Sequence, residues 1–376
     1  MKNYKVIIIA ILLILSLSIY LYSNYEKTLN IGFASTLSGN WSQIGIDTRN
    51  GFLLRLKEFN ENNEIPGLKI NPIFFDDKND KEHASSLGKT FVEENIDIVI
   101  GFTLSQMKDS VEKIMSENDI LFISPTMSTY ELTGKKDNFI RVVSDSMLQG
   151  DAILAFIKDD NYSNTIIIYD INNSGYSIPL TGYILEKSDK YNISILKSIG
   201  IDTTNYNSQD LISSINESNP KSLIFIANAI DVAKLSQILK LNDIQAAFYS
   251  STWGMTSDLI EIGGKTIEGT LMPGFFDYSN KSDKYISFSE SFEKEFGHKP
   301  ITHNIYGYEA LDVLITALKY SKSTNKNDIK EAILDISHFQ GLQSNFIIDE
   351  YGDAKRPYGK FTIKNGKYIR IDNNEK

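Results

Sequence analysis

Cysteine is absent from this chain of 376 residues. Disulfides, thiolate catalysis and cysteine-ligated zinc are excluded with it. Histidine is scarce: His83, His298, His303 and His338 are scattered, without H-x-x-x-H spacing, and each reads as a surface or structural histidine. A surplus of positive charge is also lacking. The formal net charge is −10, which disfavours a nucleic-acid partner, because phosphate recognition wants a basic footprint. No run of like charge is long enough for an interaction tail. Neither G-x-S-x-G nor G-x-G-x-x-G occurs. Gly264-Lys265-Thr266 looks like the tail of a P-loop, but Leu259 stands where the first glycine belongs, and the segment follows a helix instead of opening one. Asp76-Asp77-Lys78-Asn79-Asp80 superficially suggests a calcium loop, yet Lys81 or Glu82 takes the place of its glycine, so a solvated strand-end turn is the reading. With no nucleophile–base pair and no metal set, the expectation is not an enzyme, and no cofactor is called for.

What is there is ordinary in composition and organised in pattern. Hydrophobic content of 41% and charged content of 23% are those of a globular protein, and the length allows two domains with proper cores. One long apolar run exists. Lys2 and Lys5 precede an uncharged stretch from Val6 to Tyr22, roughly 26 Å if helical and so of bilayer length. The positive residues on its amino side place the remainder outside the cytoplasm. The run is long for a signal core and no A-x-A-like site follows it, so an uncleaved membrane anchor over residues 1–27 is favoured over a cleaved signal.

The body then alternates strands and helices. Thr28–Ala34, Leu68–Phe75, Ile96–Phe102 and Ile120–Ser124 are strand segments, and the segments between them carry apolar residues at helical spacing, such as Ala84, Leu87, Phe91 and Val92. This is βαβαβαβ, a parallel doubly wound sheet whose strands are apolar throughout because helices cover both faces. After Phe139–Val143 the pattern restarts with Thr165–Tyr169, Asn192–Ile199, Ser222–Ala227, Ala246–Ser250 and Ile267–Met272. A helical section follows over 286–336, then strands at Asn345–Ile348, Gly359–Ile363 and Tyr368–Ile371, the last two joined by Asn365-Gly366, a hairpin signal. The fold class is therefore α/β, with two doubly wound parallel-sheet lobes. The helical section is too small for a domain of its own and should return to the first lobe, and the final strands should finish the second, which implies a hinge of several crossings. The expected boundaries are 28–144 with 276–338 for lobe one, and 145–275 with 339–376 for lobe two.

In an open α/β sheet, ligands sit at the carboxyl ends of the strands. Ser105 lies where the helix after the third strand begins, and Ser128 where the segment after the fourth begins. Free N–H groups at a helix start, with a hydroxyl added, hold a carboxylate without any cationic side chain. Adjacent strands lie about 5 Å apart, so both hydroxyls reach one carboxylate. The same serines also suit plain N-caps, and spacing alone leaves both roles open.

At this point the chain resembles the leucine/isoleucine/valine-binding proteins, the type I periplasmic solute-binding receptors of branched-chain amino-acid ABC transporters. The markers are TLSGNWSQIG at 36–45, FFDDKND at 74–80, VIGFTLSQ at 99–106 and ILFISPTMSTYELT at 120–133, in order and at the family's separations. The resemblance implies that Ser105 and Ser128 bind a ligand carboxylate and that the Thr126 carbonyl accepts from its ammonium. It implies that the turn bearing Trp41, Gln43 and Ile44 closes over the side chain. The second lobe departs from the family. Asn228 stands for a tyrosine, Thr252 followed by Trp253 for the glutamate that meets the ammonium, and Ser174 for another tyrosine, with Tyr176 nearby. A buried ammonium without a carboxylate is costly. Another acid, the π face of Trp253, or a ligand lacking the ammonium resolves this. The resemblance further implies a partner permease with a cytoplasmic ATPase, and delivery of a small carboxylate, an amino acid first among them. A ligand-sensing ectodomain that signals to a membrane partner is the alternative.

Overall fold

The computed structural model describes residues 27–371 apart from Asn40 and Tyr278. The expected membrane segment lies outside the described residues. Among the described residues no helix is long and apolar enough to cross a membrane.

The first sheet holds β1 (Lys27–Ser35), β2 (Leu68–Asp76), β3 (Ile98–Gly101), β4 (Leu121–Ser124) and β5 (Phe139–Arg141), all parallel, in the order β2-β1-β3-β4-β5. Its crossovers carry α1 (Ser42–Glu61), α2 (Lys81–Glu93) and α3 (Lys108–Asn118). β3 and β4 are buried at every residue, as strands covered on both faces must be. The second sheet repeats the winding. It runs through β6 (Asn164–Asp170), β7 (Ser194–Ile201), β8 (Ser222–Ile226), β9 (Ala247–Ser250) and β10 (Leu271–Gly274), ordered β7-β6-β8-β9-β10. Around it lie α4 (Ser146–Asp159), α5 (Ser174–Lys187), α6 (Ser208–Ser218), α7 (Ala229–Leu241) and α8 (Ser257–Gly263). In both sheets the order reverses beside the first strand, which opens a crevice at the strands' carboxyl ends. The expected strand at 267–272 shifts to β10, because Gly264, at φ +54, ends α8 and the chain first makes a 3-10 turn over Gly264–Ile267.

The chain then returns. α9 (Asp283–Phe296), α10 (Thr302–Ser321) and α11 (Lys326–Ile336) place Phe292, Leu311, Leu314 and Ile333 in one core with Ile31, Phe52 and Ile123 of the first sheet. A small antiparallel sheet follows, of β11 (His338–Phe339), β12 (Phe346–Ile348) and β13 (Ala354–Lys355). Here the structure corrects the expected boundary. Phe339, Phe346 and Ile348 are buried in the first core, so 339–355 belongs there and not with the second sheet. Only β14 (Gly359–Lys364) and β15 (Lys367–Arg370) extend the second sheet, antiparallel beside β10.

The chain therefore passes between the two sheets at 142–145, 274–276 and 355–359. Two of these passages are tied together: the Arg356 N–H donates to Ser144 Oγ at 2.7 Å, and Arg356 Nε donates to the Val142 carbonyl at 2.6 Å. Arg356 also pairs with buried Glu309 and lies 3.8 Å over the Phe346 ring.

Candidate functional site

The loops after β1, β3 and β4 meet those after β6 and β9 around a cavity of about 70 Å³.

The first wall comes from one sharp turn. Gly101 (φ +139) ends β3, and a Cβ there would stand 1.9 Å from the Ala34 carbonyl oxygen. Phe102 follows in the left-handed region at φ +49, which is unfavourable for an aromatic residue and is held by a buried ring packed on Phe122. This turn sends Thr103, Leu104 and Ser105 along the cavity. Ser105 Oγ accepts from the Thr129 N–H at 3.3 Å, which leaves its own proton free to donate. Thr126 Oγ1 spends its proton on the Thr103 carbonyl at 2.8 Å. Ser128 also lines the cavity, 7% exposed, with its carbonyl accepting from the Ser146 N–H at 2.7 Å. Two hydroxyl protons thus remain for one anionic partner.

The acidic turn after β2 is not the solvated turn expected. Asp77 is fully buried and accepts from Thr36 Oγ1 at 2.6 Å, while Asp76 accepts from the Leu37 N–H and Ser38 Oγ. The two carboxylates latch the turn after β1 that leads to Ile44, another wall residue. Gln43 points elsewhere, donating to Asp47 at 3.0 Å. Trp41, also expected at the site, is not among the residues lining the cavity; its ring lies 5.7 Å from that of Trp253.

The second wall holds Asn173, Tyr176, Thr252 and Trp253. Gln149, fully buried on α4, organises it: its Oε1 accepts from Tyr176 OH at 2.7 Å and from the Thr252 N–H at 2.9 Å. Burial pushes the Tyr176 phenol up to about 12, so it donates as a neutral hydroxyl. Two expected residues are corrected. Ser174 opens α5 but lies outside the wall, which its neighbours Asn173 and Tyr176 form instead. Asn228 caps α7, its Oδ1 accepting from the Asp231 N–H at 3.0 Å, and it too lies outside the wall.

The two walls touch. Gly175 meets the backbone of the opposite loop: a Cβ there would stand 2.5 Å from the Ser105 carbonyl oxygen and from Gln106 Cα. The arrangement is a closed one, and only glycine fits it.

Residues from beyond both loop sets complete the cavity. Phe275 and Phe276 enter from the crossing after β10, and Thr302, His303 and Tyr306 from the start of α10. That 20-residue helix points its positive end at the cavity. His303, read from the sequence as a surface or structural histidine, lines the wall, and burial pushes its imidazole down to about 4, so it is neutral at physiological pH. No arginine, lysine, aspartate or glutamate lines the cavity among the described residues, and no cluster there is fit to hold a metal ion. The site can bind and enclose, with hydroxyls and a helix end on one side and aromatic rings on the other.

A family model described as periplasmic binding protein matches residues 28–367. The chain belongs to the periplasmic binding protein family. This periplasmic binding protein is 21% identical over 338 residues to the leucine-, isoleucine-, valine-, threonine-, and alanine-binding protein of Pseudomonas aeruginosa, covering 89% of each chain. Its structure is similar to that of a leucine binding protein from Thermotoga maritima, with a TM-score of 0.82, 21% identity, and 92% and 98% of the two chains covered. It is also similar to a solute binding protein from R. palustris in complex with benzoate, with a TM-score of 0.80, 16% identity, and 92% and 96% covered. The fold is the type I periplasmic binding protein architecture with parallel sheets.

Proposed function

We propose that the chain is an extracytoplasmic receptor that captures a small carboxylate, an amino acid first among them, and hands it to the permease of an ABC transporter with a cytoplasmic ATPase. The apolar segment Val6–Tyr22 holds it at the membrane. Lobe one, the first sheet with its returning helices, presents Ser105, Thr126 and Ser128. Lobe two, the second sheet, closes over them with Asn173, Tyr176, Thr252 and Trp253.

The observation that carries this reading is the pair of unspent hydroxyl protons on Ser105 and Ser128 in a cavity without a cationic side chain. Such a cavity neutralises an anion with hydroxyls, backbone N–H groups and a helix end, which suits a carboxylate. The ligands named for the relatives, amino acids and benzoate, are likewise small carboxylates. Closure removes water and strengthens each of these contacts. The test is the melting temperature of the full chain against a panel of amino acids and small carboxylates. A true ligand at a hundredfold its Kd stabilises the chain by about 2.7 kcal/mol. A panel in which no compound raises the melting temperature overturns the reading.

A further inference from the structure

Two polar atoms of the second wall are buried without a hydrogen-bond partner: Asn173 Oδ1, an acceptor, and Trp253 Nε1, a donor. Both residues line the cavity, and they are 7% and 8% exposed. They are neighbours through Tyr176, whose ring meets that of Trp253 edge-on at 5.6 Å and whose N–H donates to the Asn173 carbonyl at 3.0 Å. A buried orphan donor and a buried orphan acceptor in one wall are expensive unless a ligand satisfies both. Two other donors of the second wall, Tyr176 OH and the Thr252 N–H, are already served by Gln149 Oε1.

We propose that Asn173 and Trp253 read an uncharged polar group on the ligand, distinct from its carboxylate, that donates to Asn173 Oδ1 and accepts from Trp253 Nε1. A hydroxyl or a carboxamide does both. An ammonium only donates, and an aliphatic side chain does neither and leaves both wall atoms unpaired. The ligand class is thus a small carboxylate with a hydroxyl or amide in its side chain, and the preference comes from pairing two orphans, not from charge. The inference rests on the cavity's being the carboxylate site.

Matched pairs test it by calorimetry on the full chain: L-threonine against L-valine, and L-asparagine against L-leucine, each pair close in shape. The polar member should bind about tenfold or more tightly than its apolar partner. Trp253→Phe removes the indole donor together with part of the ring's bulk, which both members of a pair feel, and should shrink that preference to about threefold or less. Asn173→Leu should do the same through the acceptor, so the test survives if one variant fails to fold. Equal or tighter binding of the apolar members, with binding still lost in Ser105→Ala/Ser128→Ala, overturns this inference and leaves the carboxylate receptor standing. Binding of neither member of either pair, nor of any other carboxylate, overturns both.

Discussion

The two walls of the cavity are built from the same winding and solve different problems. On the first, the loops after β3 and β4 keep their own backbone satisfied and hold two hydroxyl protons in reserve. On the second, one buried glutamine absorbs two donors and leaves an amide oxygen and an indole N–H unmatched. The first wall is general, since every carboxylate looks alike to a pair of hydroxyls. In the proposed receptor the second is where ligands are told apart. A repeated fold can therefore divide recognition into a constant half and a selective half.

The sharpest way to break this comparison is to remove the constant half. Ser105→Ala/Ser128→Ala should lower affinity for every carboxylate at least a hundredfold in calorimetry; retention of any high-affinity ligand would mean that the second wall carries the anion. Next in size is closure. Gly175→Ala places a methyl against the Ser105 and Gln106 backbone, and should weaken all ligands about tenfold. Solution scattering should show no ligand-induced contraction, while the unliganded melting temperature stays put. Smaller again is Asn228→Ala. As a helix cap it should cost about 1 kcal/mol of stability and leave affinity unchanged, whereas a fall in affinity would return Asn228 to the wall.

The smallest effect is with pH. His303 is neutral above about pH 5, and burial holds Tyr176 protonated up to about 12, so affinity for a carboxylate should be flat between pH 5 and 8. A charged imidazole would tighten anion binding as pH falls through 6 to 7, and that profile would show His303 to be poorly buried. The stability linkage has a definite sign. The folded imidazole stays near 4 against 6.5 unfolded, so the unfolded chain takes the proton first. His303 therefore costs nothing above pH 6.5 and destabilises progressively as pH falls towards 4. His303→Gln should lose acid stability less steeply than the natural chain in melts over that range.

The legible and illegible parts of the sequence divide along the same line. β3, β4 and their hydroxyls could be read because buried parallel strands appear as unbroken apolar runs, and a serine just past such a run has few places to go. The doubled winding was readable for the same reason. The second wall was not. Asn228 carries the same signal whether it caps a helix or faces a ligand, and Ser174 misses the wall because the local turn of α5 favours the residues flanking it. His303 gave no signal, since only the return of α10 to the first core brings its start to the cavity. β11 and β13, two residues each, are too short for any periodicity, so the boundary at 339 was misplaced.

β1 begins at Lys27 and ends at Ser35, whose hydroxyl meets that of Thr103 near the cavity. Nine residues of strand span roughly 30 Å. The chain's entry into the first sheet and the cavity thus lie at opposite ends of β1. A surface joined to the chain ahead of Lys27 leaves the cavity's mouth clear, so the protein can be coupled to a sensor chip by that end without obstructing the path its ligand takes.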